Sequence, residues 1–210
     1  MSYTIYGDKG SGSFSAEAVL AEAGAPYDLH FVSLKDNEQR KPEFLAINPS
    51  GKLPALRLPE GDVITESLAI LLTVADHFPN AHLLPPTGPA RAQAYRWLAF
   101  MASEIYPMVE VSDYPERFAP TGKQAEALRI KARERIRERL LIVERFVEGP
   151  WFLACGFSIL DIYASMFSRW RNSIGREWLG EGHIPKIEAI TAALSVRRAI
   201  APIWTRHFKS

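Results

Sequence analysis

Two rhythms of hydrophobic and polar positions run along this chain. Up to about residue 80, short apolar runs alternate with turn residues and one-sided helical patterns; beyond it only helical spacing remains. Tyr3-Thr4-Ile5-Tyr6 is β-branched and aromatic and predicts a first strand. A turn-rich loop follows, Gly7-Asp8-Lys9-Gly10-Ser11-Gly12-Ser13. Residues 14–23 predict a helix closed by Gly24, with Pro26 beyond it. Ser13 or Ser15 is placed to cap that helix, and Glu17 lies in its first turn, where the dipole favours a negative charge. Residues 27–34 predict a second strand, so the chain opens as a parallel βαβ unit. Residues 42–46 give one or two helical turns starting on Pro42. The apolar runs Leu53-Pro54-Ala55-Leu56 and Val63-Ile64, joined through Pro59-Glu60-Gly61-Asp62, predict an antiparallel hairpin. From 66 to 78, Leu68, Leu71, Leu72, Ala75 and Phe78 recur at helical spacing until Pro79 stops them.

The order βαβ then ββα implies a four-stranded mixed sheet with helices on both faces. Residues 81–89, with Pro85-Pro86 and Pro89, predict a linker, and 90–210 an all-α domain. Its expected helices are 90–107, 123–148, a segment 162–170 behind the capping-box pattern Ser158-Ile159-Leu160-Asp161, and two shorter ones at 185–194 and 196–201. The Arg and Glu residues of the long helix read as a solvated face laced with side-chain pairs.

Composition removes some functions. A formal net charge of +1 argues against a nucleic-acid footprint. The single cysteine, Cys155, excludes an internal disulfide, fits a reducing compartment and reads as a small packed residue. The first residues carry no basic segment followed by an apolar core, and no apolar run approaches the ~20 residues that span a bilayer. The expectation is a soluble, cytoplasmic protein without membrane or nucleic-acid partners.

The candidate chemistry gathers around Asn48-Pro49-Ser50-Gly51-Lys52-Leu53-Pro54 and Thr65-Glu66-Ser67. Pro49 and Gly51 make a turn, because proline fixes φ and glycine accepts φ > 0. Pro54 is unsuited to a central strand, so it either opens its strand or carries a cis bond. A proline-opened strand edge and a helix start carrying Glu and Ser suit a peptide-like ligand with both an amine and a carboxylate.

This order of elements and these motifs resemble the soluble glutathione transferases, nearest to the bacterial beta class. Asn48-Pro49-x-Gly51-Lys52-Leu53-Pro54 is similar to that family's turn into its cis-proline. Glu66-Ser67 is similar to its glutathione-binding pair, Ser158-x-x-Asp161 to its N-capping box, and Ala102-Ser103-Glu104-Ile105 to a beta-class segment. The beta-class cysteine is absent from the loop after strand one, where Gly12 takes its place. The resemblance implies a thioredoxin-like N-terminal domain at 1–80, an α-helical domain at 90–210 forming the acceptor site, a homodimer, and no cofactor or metal beyond glutathione as co-substrate.

It also implies roles. Glu66 would pair the γ-glutamyl amine and Ser67 bind its carboxylate. Leu53 would offer its backbone to the cysteinyl unit, with Pro54 in the cis form holding that edge open. Lys52 and Lys41 would meet the glycyl carboxylate, or stand as solvated lysines. The hydroxyl that stabilises the thiolate is Ser11, Ser13 or Tyr6, in that order; each has an ordinary alternative as turn residue, N-cap or packed strand residue. Tyr106, Met108 and Tyr114 are candidates to line the site of a small hydrophobic electrophile, with core packing as the alternative. The expected activity is glutathione transfer. A binding or regulatory protein on the same fold, or a glutathione-dependent isomerase or dehalogenase, is the rival.

Overall fold

A computed structural model describes residues 2–209 as two compact units. The first contains the chain up to Leu84 together with the stretch from Ala193 onward; the second runs from Pro85 to Ala192.

The first unit is built on a sheet of order β2-β1-β3-β4. Strand β1 (Tyr3–Gly7) runs parallel to β2 (Tyr27–Phe31), with Ile5 opposite Leu29, and antiparallel to β3 (Ala55–Arg57), with Ile5 opposite Leu56. β3 and β4 (Val63–Thr65) form the hairpin, with Ala55 opposite Thr65. Period-two alternation divides the sheet's faces. Ile5 and Leu56 turn to the layer of α1 (Ser13–Glu22) and α3 (Ser67–His77), where Phe14, Leu20, Ile70 and Leu71 are also fully buried. Each such side chain contributes about 1.5–3 kcal/mol of apolar burial. Tyr6 and Ala55 turn to the opposite face, joining Val32 and Phe44 of the short helix α2 (Pro42–Leu45) in a separate cluster. Tyr3 bonds His77 Nδ1 through its hydroxyl at 2.9 Å, tying the start of β1 to the end of α3; burial, with the Glu60 charge second, pushes its phenol up.

In the second unit α4 (Pro89–Phe100) passes through a π turn, Met101–Ile105, into α5 (Tyr106–Asp113). The predicted helix was to end at Pro107. Instead the N–H of Tyr106 reaches back five residues to the Met101 carbonyl, and the widened turn seats Pro107 in the first turn of α5. The long α6 (Gly122–Arg145) buries Ala132, Ile136, Leu140 and Val143. Its outer face carries the expected pairs, such as Lys131–Glu134 at 2.7 Å. α7 (Ile159–Arg169) starts from the predicted capping box. The oxygens of Asp161 accept the backbone N–H groups of Phe152 and Ser158, each at 2.7 Å, and burial pushes the carboxyl up to about 6. The short α8 (Arg171–Ile174) and α9 (Arg176–Gly180) follow, and then α10 (Pro185–Ser195). Glu144 caps α10 by accepting from the N–H groups of Lys186 and Ile187 at 2.8 and 3.0 Å.

Two expectations for the C-terminal stretch are corrected. Residues 196–200 are not helical, Val196 is 74% exposed, and the last helix is α11 (Ala201–Phe208), opening with Pro202 in its first turn. Nor does that stretch belong with the all-α domain drawn at 90–210, because aromatic packing draws it onto α1. Phe14 meets Trp204, His207 and Phe208 at ring-centroid distances of 5.5, 5.6 and 4.9 Å. Arg197 grips Glu22 with two bonds of 2.8 and 2.7 Å. Cys155, expected to be packed, is exposed. Among the described residues no helix is long and apolar enough to cross a membrane.

Candidate functional site

Register brings the motifs of the first unit to one end of its sheet. Tyr6 of β1 stands opposite Ala55 at the start of β3, and Ala55 opposite Thr65 at the end of β4. The loop after β1, the turn into Pro54 and the Glu66-Ser67 pair therefore emerge side by side.

The turn into β3 is held by Asn48, which is buried. Its Oδ1 accepts from the Ser50 N–H at 3.1 Å and the Ser50 hydroxyl at 2.8 Å, and its Nδ2 donates to the Lys52 carbonyl at 2.7 Å. Gly51 takes φ 60°, and a Cβ there would stand 3.0 Å from both the Gln39 carbonyl and Arg40 Nη1, so backbone conformation and close approach both favour glycine. The Leu53–Pro54 bond is cis. Lys52 is exposed, Leu53 half-buried and Pro54 buried.

Glu66 is the residue before α3, with φ 65° and ψ 113°. A non-glycine residue holds this region only at a cost of about 1–3 kcal/mol, a strain that collects at ligand sites. The conformation starts α3 at once, since the Glu66 carbonyl accepts from Ile70 N–H at 3.0 Å, and it leaves the Glu66 side chain exposed beside the buried Ser67.

The loop after β1 separates the three candidate hydroxyls. Ser13 has no exposed surface, and its hydroxyl donates to the Asp8 carbonyl at 3.0 Å. It fills the space above Gly7, where a Cβ would stand 2.4 Å from Ser13 Cβ. Ser13 thus seats α1 on β1. Neither it nor Ser15 caps α1: Gly12 is the N-cap, and the Ser15 hydroxyl donates to the Gly12 carbonyl at 2.8 Å. Ser11 keeps 9% of its surface exposed. Its oxygen accepts the Ser13 N–H at 3.2 Å and its hydroxyl donates to the Asp8 carbonyl at 2.7 Å. Tyr6 lies on the other face of β1. Its ring packs with Val32, Phe44 and Ala55, its oxygen accepts from Arg57 Nε at 3.4 Å, and it lines a cavity of about 360 Å³ with His30, Phe31 and Lys41. Lys41 there pairs with Glu38 at 3.1 Å. Tyr6 and Lys41 therefore belong to the α2 face, and the Ser11 loop to the α1 face.

In the second unit, Tyr106 follows the π turn and packs against Tyr163, Phe167 and Trp170, with the Trp170 ring 5.1 Å away. Met108 is half-buried, and Tyr114 is 38% exposed under the guanidinium of Arg117, 3.9 Å from its ring. Glu104 in the π turn bonds Arg139 at 2.9 Å and Arg135 at 3.1 Å; chiefly the Arg139 bond holds its carboxyl below the usual range.

The N-terminal domain model of the glutathione S-transferases matches residues 13–77. The GST-like protein YncG of Escherichia coli K12 is 31% identical over 193 residues, covering 90% of this chain and 91% of that protein. The chain belongs to the glutathione S-transferase family. Its relatives in that family include glutathione S-transferase F10 of Arabidopsis thaliana, 34% identical over 77% of both chains. A glutathione transferase homologue from Sulfitobacter, solved with glutathione bound, superposes with a TM-score of 0.90 over 99% of both chains at 28% identity. The family fold accounts for the thioredoxin-like sheet and the helical second unit.

Two residues of the loop's surroundings were not legible as such. Glu17, read as a first-turn charge, is a buried partner of α11, and His207 from α11 bonds the loop at Gly10. No local pattern announces a pairing of residues 190 positions apart.

Proposed function

We propose that the protein is a glutathione transferase whose Ser11 hydroxyl stabilises the glutathione thiolate for attack on a small hydrophobic electrophile. The observation that carries this reading is the crowding of one carbonyl. The Asp8 oxygen receives Ser11 N–H at 3.3 Å, the Ser11 hydroxyl at 2.7 Å and the Ser13 hydroxyl at 3.0 Å. Three donors share two lone pairs. The two hydroxyl oxygens also stand 2.9 Å apart and can bond one another. Turning the Ser11 proton outward leaves Asp8 with the Ser11 N–H and the Ser13 hydroxyl, and Ser11, unlike Ser13, keeps exposed surface where a ligand can meet it. Ser13 stays behind as structure.

The size of the strand ends fits the ligand class. Three adjacent strands span two steps of about 4.8 Å, roughly 10 Å, the reach of an extended tripeptide at about 3.3–3.6 Å per residue. In this reading Glu66 takes the γ-glutamyl amine, Ser67 and the start of α3 its carboxylate, the Leu53 backbone the cysteinyl unit, and Lys52 the glycyl end. The thiol loses its proton to solvent. Its sulfur then forms a bond to carbon while a leaving group departs with the electron pair, or while an activated double bond takes the pair and a proton. A free thiol has a pKa of about 8.5, and lowering it by one to two units needs only about 1.4–2.7 kcal/mol. One charge-assisted hydrogen bond at the N-terminus of α1 supplies that much. Tyr106 and Met108 are the proposed contacts of the electrophile. A homodimer in the cytoplasm belongs to the same reading.

Calorimetry with glutathione, followed by conjugation assays over a panel of aromatic halides and enones, tests it. Heat of binding together with turnover of at least one electrophile is expected. Binding without any turnover would leave a glutathione-binding protein and overturn the transferase.

A further inference from the structure

We propose that His207, in the last turn of α11, is a positioning residue for the thiolate-stabilising loop, set in its working tautomer by the buried carboxylate of Glu17. The inference rests on the reading of Ser11 above.

The side chains of His207 and Glu17 are each 1% exposed. Nδ1 of His207 accepts the backbone N–H of Gly10 at 3.1 Å, so that nitrogen carries a lone pair and no proton. The single ring proton is then on Nε2, which donates to Glu17 Oε1 at 2.7 Å. The other oxygen of Glu17 is held by Arg206. Glu17 lies on α1, only a turn beyond the helix start, so one carboxylate fixes the ring, the ring fixes Gly10, and Gly10 precedes Ser11 directly. Phe14 packs edge-on against the His207 ring at 5.6 Å. Gly10 sits at φ 68° with no side chain of its own to order it. An outside acceptor for its N–H is what such a loop residue needs to hold a neighbour's hydroxyl in place. A buried carboxylate–imidazole–amide chain is more than packing requires, since Phe14, Trp204 and Phe208 already dock the helix.

Two conservative substitutions separate the halves of the chain. His207→Asn keeps an acceptor oxygen near the place of Nδ1 and gives up the donor to Glu17. His207→Gln keeps a donor near the place of Nε2 and gives up the acceptor for Gly10. Each loses one of two bonds, so a purely structural role predicts matching behaviour. The positioning role predicts amide hydrogen exchange at Gly10 and Ser11 at least about tenfold faster in His207→Gln and within about threefold of wild type in His207→Asn. The conjugation rate should divide the same way, with kcat lowered about tenfold in His207→Gln and the KM for glutathione nearly unchanged. Glu17→Gln, which keeps an acceptor for Nε2–H, supplies a second perturbation with a smaller rise in exchange. Equal exchange and equal rates in the two His207 variants would overturn the inference. If Ser11→Ala leaves turnover unchanged, the reading of Ser11 fails instead, and the exchange of Gly10 still decides whether His207 holds the loop.

Discussion

Gly7→Ala is a one-methyl perturbation whose outcome is set by the seating of α1. The added Cβ would lie 2.4 Å from Ser13 Cβ and 2.5 Å from Ser13 Oγ. Carbon atoms in ordinary contact stand about 3.5–4.0 Å apart, so one element must move by about 1 Å. Neither of the two Cβ atoms can swing aside: the added one belongs to central strand β1, the other to Ser13, the first residue of α1. Overpacking of this kind costs about 1–3 kcal/mol, which for a chain of this size lowers Tm by roughly 3–10 °C. It also lifts the start of α1 and the Ser11 loop away from β1, so glutathione binding should fall with stability. Ser13→Gly removes both clashing atoms. Alone it gives up the bond to the Asp8 carbonyl and some helix propensity, about 1–2 kcal/mol together. In the double variant the losses should not add: the pair should couple by about 1 kcal/mol or more, with recovered binding. Thermal and urea unfolding of the four proteins, with calorimetry of glutathione, measures this. A Gly7→Ala protein within 0.5 kcal/mol (roughly the additivity error) of wild type, or additive losses in the double variant, would refute the reasoning.

Further perturbations follow from other local features. Glu66→Gly relieves the φ 65° strain and should raise stability by about 1 kcal/mol while weakening glutathione binding; Glu66→Ala should weaken binding without the gain. Asp161→Ala strands the buried N–H groups of Phe152 and Ser158 and should cost about 2–6 kcal/mol at neutral pH in denaturant unfolding. The folded Asp161 carboxyl is raised to about 6 by burial, so the part of stability linked to its proton is complete below its ordinary value and is lost as pH rises through about 6, while the bonds it accepts from Phe152 and Ser158 persist. Between pH 4 and 7 this amounts to about 2 kcal/mol, and a stability-versus-pH comparison should find that component absent in Asp161→Asn. Cys155, being exposed, should react with a thiol reagent in the native protein at a rate near that of the unfolded chain.

What could be read from the sequence is what local chemistry decides. The hairpin, the Asn48–Gly51 turn, the Glu66-Ser67 helix start and the Ser158–Asp161 box are each made by residues within a few positions of one another; for Pro54 local chemistry left strand opening and a cis bond open, and the family likeness chose the cis form. What could not be read depends on distant packing or on side-chain direction. Pro107 signalled a helix end, because a proline removes a hydrogen bond; the π turn before it reroutes the backbone bonds and the helix resumes. The last helix was drawn too early, at 196–201, because its placement follows from Trp204 and Phe208 finding Phe14 across the fold. Tyr6 stood third behind Ser11 and Ser13 by family likeness alone; that it faces α2 follows from strand alternation. Ser13 looked like a cap, and only the absent side chain of Gly7 explains why a serine is buried there.

The most direct test of the account is the titration of the bound glutathione thiol, followed by its ultraviolet thiolate absorbance, in the wild type, Ser11→Ala, Ser13→Ala and Tyr6→Phe. A thiol pKa one to two units below about 8.5 is expected in the wild type, with a return toward the free value in Ser11→Ala and little change in Tyr6→Phe. Ser13→Ala should lose stability and keep most of the shift. A depressed thiol pKa that survives Ser11→Ala would contradict it.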